Sequence, residues 1–185
     1  MSDALAAAGP LDGLDISAAG VRIVAAPPSV RWLVQGRAAQ AVAARACGLP
    51  APAPMRAQAA GDLAVLWLGP DETLIVAPPG NDVGGRLAAA LADAPHGLVD
   101  VSQRDAGLDV AGPAAADLLA CAVLLDLDPR AFPPGACART LAGKAPVLLW
   151  RRAAETFRLE TPRSFAPYLR DLLREGLRGL GPDPD

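Results

Sequence analysis

Side chains able to do metal, nucleophilic or proton-transfer chemistry are few and scattered in this sequence. His96 is the single histidine, and it stands in Ala94-Pro95-His96-Gly97 with no serine or cysteine nucleophile beside it. Cys47, Cys121 and Cys137 form no CxxC pair. Because a structural zinc site needs four closely spaced thiolates or imidazoles, this set predicts no metal site. We interpret His96 as an exposed loop histidine, and we expect Cys47 and Cys121 to be small core residues in helices.

The carboxylates and the only lysine offer other chemistry, but their surroundings indicate structural roles. Asp100 stands in Val99-Asp100-Val101-Ser102, which predicts a short strand at a sheet edge or in a pocket, with Ser102 or Arg104 as hydrogen-bond partner. Lys144 begins a predicted strand, which favours a surface position over a covalent cofactor linkage. No GxSxG, GxGxxG or P-loop motif occurs. By themselves, the residues predict no catalytic, cofactor-binding or metal site.

Charge and hydropathy exclude several broad classes of function. The formal net charge is −3, and no basic run is interleaved with aromatic residues, so a nucleic-acid-binding surface is not expected. No uninterrupted apolar run of about 18 residues is present, so we expect no membrane span. The first ten residues lack the pattern of a secretory signal, which favours a cytoplasmic domain. With 52% hydrophobic residues, the chain can bury a sizeable core.

A faint internal repeat indicates how the chain is organised. In each half a predicted strand ends at a glycine, and the two glycines, Gly36 and Gly112, lie 76 positions apart. The strands are predicted at 30–35 and 107–111, and the helices that follow at 37–47 and 113–123.

Each half continues with a predicted hairpin and a second helix. The hairpins span 63–77, around the turn Gly69-Pro70-Asp71-Glu72, and 146–160; the helices span 83–93 and 164–177. Trp67 and Trp150 align at an offset of 83. The pattern predicts an α+β fold in which helices cover antiparallel sheets, as one domain over 1–185. Its pseudo-repeated, ββα-rich halves are expected at about 20–94 and 97–178, with a flexible tail at 179–185.

The last helix carries the clearest periodicity. Ser164 is a predicted N-cap, and Pro167 falls in the tolerated first turn. The apolar stripe predicted to cover a sheet or another helix comprises Phe165, Tyr168, Leu169, Leu172 and Leu173.

Six short segments form a series that spans nearly the whole chain. They are 67–72 (WLGPDE), 99–104 (VDVSQR), 125–135 (LDLDPRAFPPG), 138–141 (ARTL), 147–151 (VLLWR) and 163–168 (RSFAPY). In this order and spacing they resemble the gamma subunit of heterotetrameric sarcosine oxidase. The resemblance implies a fold related to the folate-binding domain of the glycine-cleavage T-protein, in agreement with the repeat described above.

The same resemblance implies a non-catalytic role for this chain. The complex of alpha, beta, gamma and delta subunits oxidatively demethylates sarcosine to glycine, forming hydrogen peroxide and either formaldehyde or 5,10-methylenetetrahydrofolate. FAD, FMN, NAD, zinc and tetrahydrofolate are expected in the other subunits and none in this one. The segment around Asp100 also resembles T-proteins, but Gln103 stands where T-proteins usually have histidine, so a folate site is not transferred to this chain.

The expected contribution of the chain is a surface that binds partner subunits. Arginine and aromatic side chains typically anchor interfaces, so the candidates are Arg139, Arg163, Phe165 and Tyr168. Plain core packing is the competing interpretation for the two aromatic residues. Two other functions remain open, namely a stand-alone T-protein-like folate-binding or one-carbon domain, and the gamma subunit of a sister oxidase or dehydrogenase acting on another N-methylated amino acid.

Overall fold

The computed structural model describes residues 9–181, which form eleven strands and four α-helices. The strands are β1 (Asp15–Ala18), β2 (Val21–Ala25), β3 (Val30–Gln35), β4 (Ala57–Ala60), β5 (Leu63–Gly69), β6 (Glu72–Ala77), β7 (Gly97–Asp100), β8 (Asp105–Ala111), β9 (Cys137–Ala142), β10 (Ala145–Ala153) and β11 (Thr156–Pro162). The helices are α1 (Arg37–Ala46), α2 (Val83–Leu91), α3 (Ala115–Ala120) and α4 (Ala166–Gly179). The strands and helices predicted from the sequence are present, with ends shifted by a few residues.

The strands form two antiparallel sheets packed face to face. Sheet A has the order β1-β2-β8-β11-β10-β9, and sheet B has the order β4-β5-β6-β3-β7. Helices α3 and α4 cover the outer face of sheet A, and α1 and α2 cover that of sheet B. A third apolar cluster, which includes Leu66, Leu148 and Trp150, lies between the sheets. The predicted α+β class with helix-covered antiparallel sheets is confirmed.

The internal repeat is visible in both the topology and the backbone. In sheet A the order β8-β11-β10-β9 matches the order β3-β6-β5-β4 of sheet B. Gly36 and Gly112, which end the first of these strands in each half, have φ angles of 121° and 128°. Because side chains disfavour positive φ, glycine is required at both positions.

The hairpins correct the alignment of the two halves by one residue. Trp67 lies opposite Thr73, and Arg151 lies opposite Phe157, with a register shift directly after Trp67 and after Arg151. The structural offset between the hairpins is therefore 84, and the predicted correspondence of Trp67 with Trp150 is wrong. Successive strand residues point to opposite faces of a sheet, so a one-residue error exchanges the faces.

The two halves exchange strands. β2 belongs to the first half but pairs with β8 in sheet A, whereas β7 belongs to the second half but pairs with β3 in sheet B. Matching hydrogen bonds continue both pairings, from Ala26 N to Gly107 O and from Val101 N to Arg31 O, each 2.9 Å long. Each sheet is therefore completed by chain from the other half.

Three local predictions are wrong. Ser164 does not cap the last helix, because Arg163–Phe165 form a 3₁₀ turn and α4 begins only at Ala166 without a side-chain cap. Phe165 and Tyr168 leave the predicted buried stripe and are 36% and 38% exposed, whereas Leu169 and Leu173 are fully buried. Cys121 is exposed just beyond α3, which is too short to bring it into the core.

Candidate functional site

The residues with the most reactive side chains occupy structural positions. His96 is exposed, as predicted, with its Nδ1 2.8 Å from the carbonyl oxygen of Ala94. Lys144 is exposed in the turn before β10. Cys137 is fully buried between the sheets, and burial raises the pKa of its thiol to about 12. Because the thiolate is the nucleophilic form, Cys137 is unreactive at neutral pH.

Asp100 ends the edge strand β7 and shapes the turn that follows. Its Oδ1 accepts hydrogen bonds from the Ser102 hydroxyl at 2.6 Å and from the Ser102 N–H at 2.9 Å. These bonds lower the pKa of the Asp100 carboxyl, because they favour its charged form. Of the two predicted partners, Ser102 is correct; Arg104 pairs with Asp105 instead. This geometry agrees with the structural interpretation of Asp100.

A buried charge network between the sheets was missed by the sequence analysis. Glu160 accepts from Arg31 Nε with one carboxylate oxygen and from Arg158 Nε with the other, both at 2.8 Å. All three side chains are buried. Apolar and polar residues alternate along β11, a pattern that would bury Phe157 and Leu159 and expose Arg158 and Glu160. β11 lies in the middle of sheet A, however, and both of its faces are covered, so Arg158 and Glu160 are buried as well.

Asp109 extends this network without a hydrogen bond. Its Oδ1 is buried, has no hydrogen-bond partner, and lies 3.7 Å from Arg158 Nη1. Arg152 Nη1 lies 3.9 Å from the other oxygen. Burial raises the pKa of the Asp109 carboxyl, and the two guanidinium groups oppose that effect. Because Arg31 belongs to sheet B and Arg158 and Glu160 belong to sheet A, the buried charges are paired across the two sheets.

A second buried arginine holds the long connection between α3 and β9. Arg151 donates from Nη1 to the carbonyl oxygens of Leu127 and Phe132, at 3.0 and 2.9 Å. Its guanidinium also lies over the Phe157 ring, 4.9 Å from the ring centre. The proline-rich connection is therefore tied to the sheet by one side chain, which satisfies backbone acceptors that lie away from water.

Two cavities flank Glu160 between the sheets. One, of about 50 Å³, is bounded by Trp150, Arg152 and Arg158. The other, of about 190 Å³, is a groove whose walls include Leu68 and Leu74 and whose rim carries Arg104 and Arg139. The groove places one of the four predicted interface residues, Arg139, beside apolar surface that is open to solvent.

The interface candidates lie on β9, at the edge of sheet A, and around the start of α4, which covers the outer face of that sheet. Arg139 on β9 is half-exposed and forms an ion pair with Glu72. Leu141, two residues further along the same strand, is 50% exposed. Tyr168 reaches the turn after β9, where its hydroxyl accepts a hydrogen bond of 3.1 Å from Lys144 N. Phe165 and the partly buried Arg163 lie just before α4. We call Arg139, Leu141, Arg163, Phe165 and Tyr168 the β9 surface.

Neither a metal centre nor a membrane segment is found in the part of the chain that the structure describes. Across residues 9–181, no three His, Cys, Asp or Glu side chains come together in a way that could hold a metal ion. None of the helices in this range combines the length and the apolar character that a membrane span requires.

The fold indicates the structural class of the protein before sequence similarity is considered. The fold is similar to that of aminomethyltransferase T of the glycine cleavage system from Bartonella henselae, with a TM-score of 0.63 over 84% of this chain and 46% of that chain. At 15% sequence identity, this similarity concerns the fold alone. The chain thus has the two-sheet, helix-covered fold that this enzyme also contains.

Sequence similarity identifies the family. Residues 11–176 match the sarcosine oxidase gamma subunit family, and the chain belongs to it. It is 42% identical over 130 residues to a sarcosine oxidase subunit gamma from Arthrobacter sp., a match that covers 70% of this chain and 63% of that protein. The corresponding subunit from Corynebacterium sp. strain P-1 is 35% identical over 137 residues, which cover 74% of this chain and 68% of that protein.

A solved assembly gives a closer structural relative. A chain of the heterotetrameric sarcosine oxidase from Corynebacterium sp. U-96, in complex with pyrrole 2-carboxylate, has a TM-score of 0.85 and 26% identity to this chain. The match covers 96% of this chain and 98% of that one. The related chain thus has nearly the same extent and fold, and it occurs in an assembly with other subunits.

Proposed function

We propose that this chain is the non-catalytic gamma subunit of a heterotetrameric sarcosine oxidase, with alpha, beta and delta subunits as its partners in the cytoplasm. The assembly oxidatively demethylates sarcosine to glycine, forming hydrogen peroxide and either formaldehyde or 5,10-methylenetetrahydrofolate. The similarity to one chain of a heterotetrameric sarcosine oxidase, over 96% of this chain and 98% of that one, carries the proposal.

In this proposal the chemistry belongs to the partner subunits, which hold FAD, FMN, NAD, zinc and tetrahydrofolate. The roles of this chain's own polar residues support that division. The Asp100 carboxylate is bound by Ser102, and Glu160 is bound by two arginines inside the fold. A carboxylate whose oxygens hold structural hydrogen bonds is poorly placed to move protons to a substrate.

We propose the β9 surface as a contact with a partner subunit. It combines half-exposed Arg139, which lines the groove with its apolar walls, with partly exposed Phe165 and Tyr168 at the start of α4. Exposed aromatic and arginine side chains are the composition typical of interface anchors. Exposure of Phe165 and Tyr168 favours this role over the alternative of core packing.

The proposal is tested by expressing the chain with and without candidate alpha, beta and delta subunits. Size-exclusion chromatography then shows whether the four chains co-elute, and a peroxide assay measures sarcosine-dependent turnover. Co-elution, with peroxide formed by the assembly and not by this chain alone, is the expected result. A chain that ignores those subunits and binds tetrahydrofolate by itself would contradict the proposal and favour a T-protein-like domain.

A further inference from the structure

The two sheets differ at one strand position. In sheet A, β1 pairs antiparallel with the outer edge of β2. In sheet B, β7 takes the place that β2 has in sheet A. β2 pairs with β8 of the second half, and β7 pairs with β3 of the first half. Within residues 9–181, no strand pairs with the outer edge of β7. Sheet A therefore has six strands and sheet B five, and the position that corresponds to β1 is empty in sheet B.

The correspondence extends to individual backbone groups. Val101 N donates to Arg31 O, so the N–H of the preceding residue, Asp100, points to the other edge of the strand. In the other half Ala26 N donates to Gly107 O, and the preceding residue, Ala25, donates outward to Leu14 O at 3.2 Å. The Asp100 N–H is thus the counterpart of a donor that sheet A satisfies with the chain of β1.

We infer that an extended segment of a partner subunit pairs antiparallel with the outer edge of β7, in the position that β1 occupies on β2. The inference rests on the proposed function, which supplies the partner. Main-chain hydrogen bonds at a sheet edge give such contacts their affinity, and alternate side chains give them specificity.

The side chains of β7 indicate the chemistry of this segment. Val99 is 48% exposed, and Leu98 packs at the border of the apolar cluster under α1 and α2. On β1, Ile16 lies opposite Ile23, which is the counterpart of Leu98. Asp100 is exposed and negatively charged. The segment therefore carries apolar residues opposite Leu98 and Val99 and a lysine or arginine beside Asp100.

Hydrogen exchange of the wild-type assembly tests the pairing directly. Amide exchange at Leu98 and Asp100 is compared between the isolated chain and the complex with alpha, beta and delta subunits. At least a tenfold slowing in the complex is expected, while β2, which is already paired on both sides, stays unchanged. A complex with unchanged exchange at Leu98 and Asp100 overturns this inference alone. Failure to form any complex overturns the proposed function together with it.

Two substitutions at Asp100 separate the backbone donor from the carboxylate. Asp100→Pro removes the outward N–H at an edge where proline is tolerated, whereas Asp100→Ala keeps that N–H. Both variants lose the carboxylate and its hydrogen bonds with Ser102, so the difference between them isolates the backbone donor. Each tagged variant is co-expressed with untagged wild-type chain and the partners, and the ratio of the two in the purified complex is measured. We expect Asp100→Pro to be depleted at least tenfold and Asp100→Ala less than threefold. Equal incorporation of Asp100→Pro, or a dimer of the isolated chain that protects Leu98 and Asp100, overturns the inference.

Discussion

Arg31 in sheet B donates from Nε to Glu160 Oε2 in sheet A across 2.8 Å, with side chains that are only 6% and 3% exposed. The same carboxylate also accepts from Arg158 within sheet A. One buried anion thus joins two cations and both sheets. Such a network contributes little net stability compared with an apolar core, but removal of its centre leaves uncompensated charge inside the protein.

Glu160→Gln is therefore expected to lower the free energy of unfolding by about 3 kcal/mol, because two guanidinium groups lose their buried counter-ion. Urea unfolding of the purified chain measures the change. Glu175→Gln is the matched control, since its ion pair with Arg178 is about 70% exposed, and a change within about 0.5 kcal/mol is expected there. Equal losses in the two variants would show that the buried network has no special role.

The two repeat glycines are expected to differ in how strictly they exclude a side chain. A Cβ at Gly112 would lie 2.1 Å from the carbonyl oxygen of Gly20, whereas one at Gly36 would lie 3.0 Å from that of Pro95. Gly112→Ala should therefore cost more than about 2 kcal/mol, and Gly36→Ala less. Gly48 also has a positive φ, but a Cβ added there would meet no atom within 4 Å. Gly48→Ala therefore isolates the backbone strain, which is about 1 kcal/mol.

Thermal and urea unfolding rank these three variants. The expected order of destabilisation is Gly112→Ala, then Gly36→Ala, then Gly48→Ala. A Gly112→Ala protein as stable as Gly48→Ala would mean that the close contact between the end of β8 and the start of β2 relaxes easily.

The sequence predicted this repeat because its signals are local. Glycines at strand ends, the Gly69-Pro70-Asp71-Glu72 turn and the apolar periodicity of α4 all act over a few residues. Strand exchange and the burial of Arg158 and Glu160 depend on which strands become neighbours across distances in sequence that run from 45 residues (Ala111 to Thr156) to 89 residues (Arg22 to Ala111). A strand pattern read alone cannot tell that both of its faces are covered, so the charge network was missed.

On the β9 surface the sequence pattern also predicted burial wrongly, because two residues expected to be buried are exposed. Phe165 and Tyr168 have helical spacing with Leu169 and Leu172, which predicted a common buried stripe. The 3₁₀ turn at Arg163–Phe165 changes the angular spacing before α4 begins, so Phe165 no longer continues the buried face of the helix. The residue types identified interface candidates; their exposure became known only with the fold.

Asp109 is expected to give the stability of the protein a pH dependence of unusual sign. Burial raises its folded-state pKa above the unfolded value of about 3.9, so the folded state binds the proton more tightly. Stability from this group is therefore lost as pH rises from the unfolded pKa through the folded one. Asp109→Asn lacks this loss, so its stability relative to wild type should improve as pH is raised from 3 to 8.

Asp100→Asn provides the opposite case for this experiment. Hydrogen bonds from Ser102 lower the pKa of Asp100, so its contribution is present above the unfolded pKa and is lost as pH falls. The stability of Asp100→Asn relative to wild type should therefore worsen as pH rises. Urea unfolding at several pH values measures both variants, and parallel curves for Asp109→Asn and wild type would contradict the assignment.

Polar substitutions on the β9 surface should weaken assembly without harming the fold. Phe165→Ser and Tyr168→Ser remove large side chains that are more than a third exposed, so each should change monomer stability by less than about 1 kcal/mol. If they anchor a partner, each should lower affinity for the remaining subunits about tenfold or more. Leu124→Ser, at a residue that is 90% exposed, is the control for a general effect of losing surface apolarity.

Arg139→Ala and Arg163→Ala extend the test to the charged members of the β9 surface. Co-purification from cells that express all four subunits gives the relative affinities, and circular dichroism checks the fold. Wild-type assembly in all four variants would exclude the β9 surface as a contact, and the partner would then have to bind elsewhere on the chain.

The strand exchange leads to a prediction about folding of the two halves. A fragment of residues 9–95 contains β2 without sheet A, and a fragment of residues 96–181 contains β7 without sheet B. Alone, the first fragment would expose the edge of β3 that β7 covers, and the second would expose the edge of β8 that β2 covers. Each fragment would also lose one wall of the apolar cluster between the sheets. We therefore expect each fragment alone to lack a cooperative unfolding transition, and an equimolar mixture to regain one. A single fragment that unfolds cooperatively would show that its half is an independent domain, in which case the exchanged strands add contacts without being required for folding.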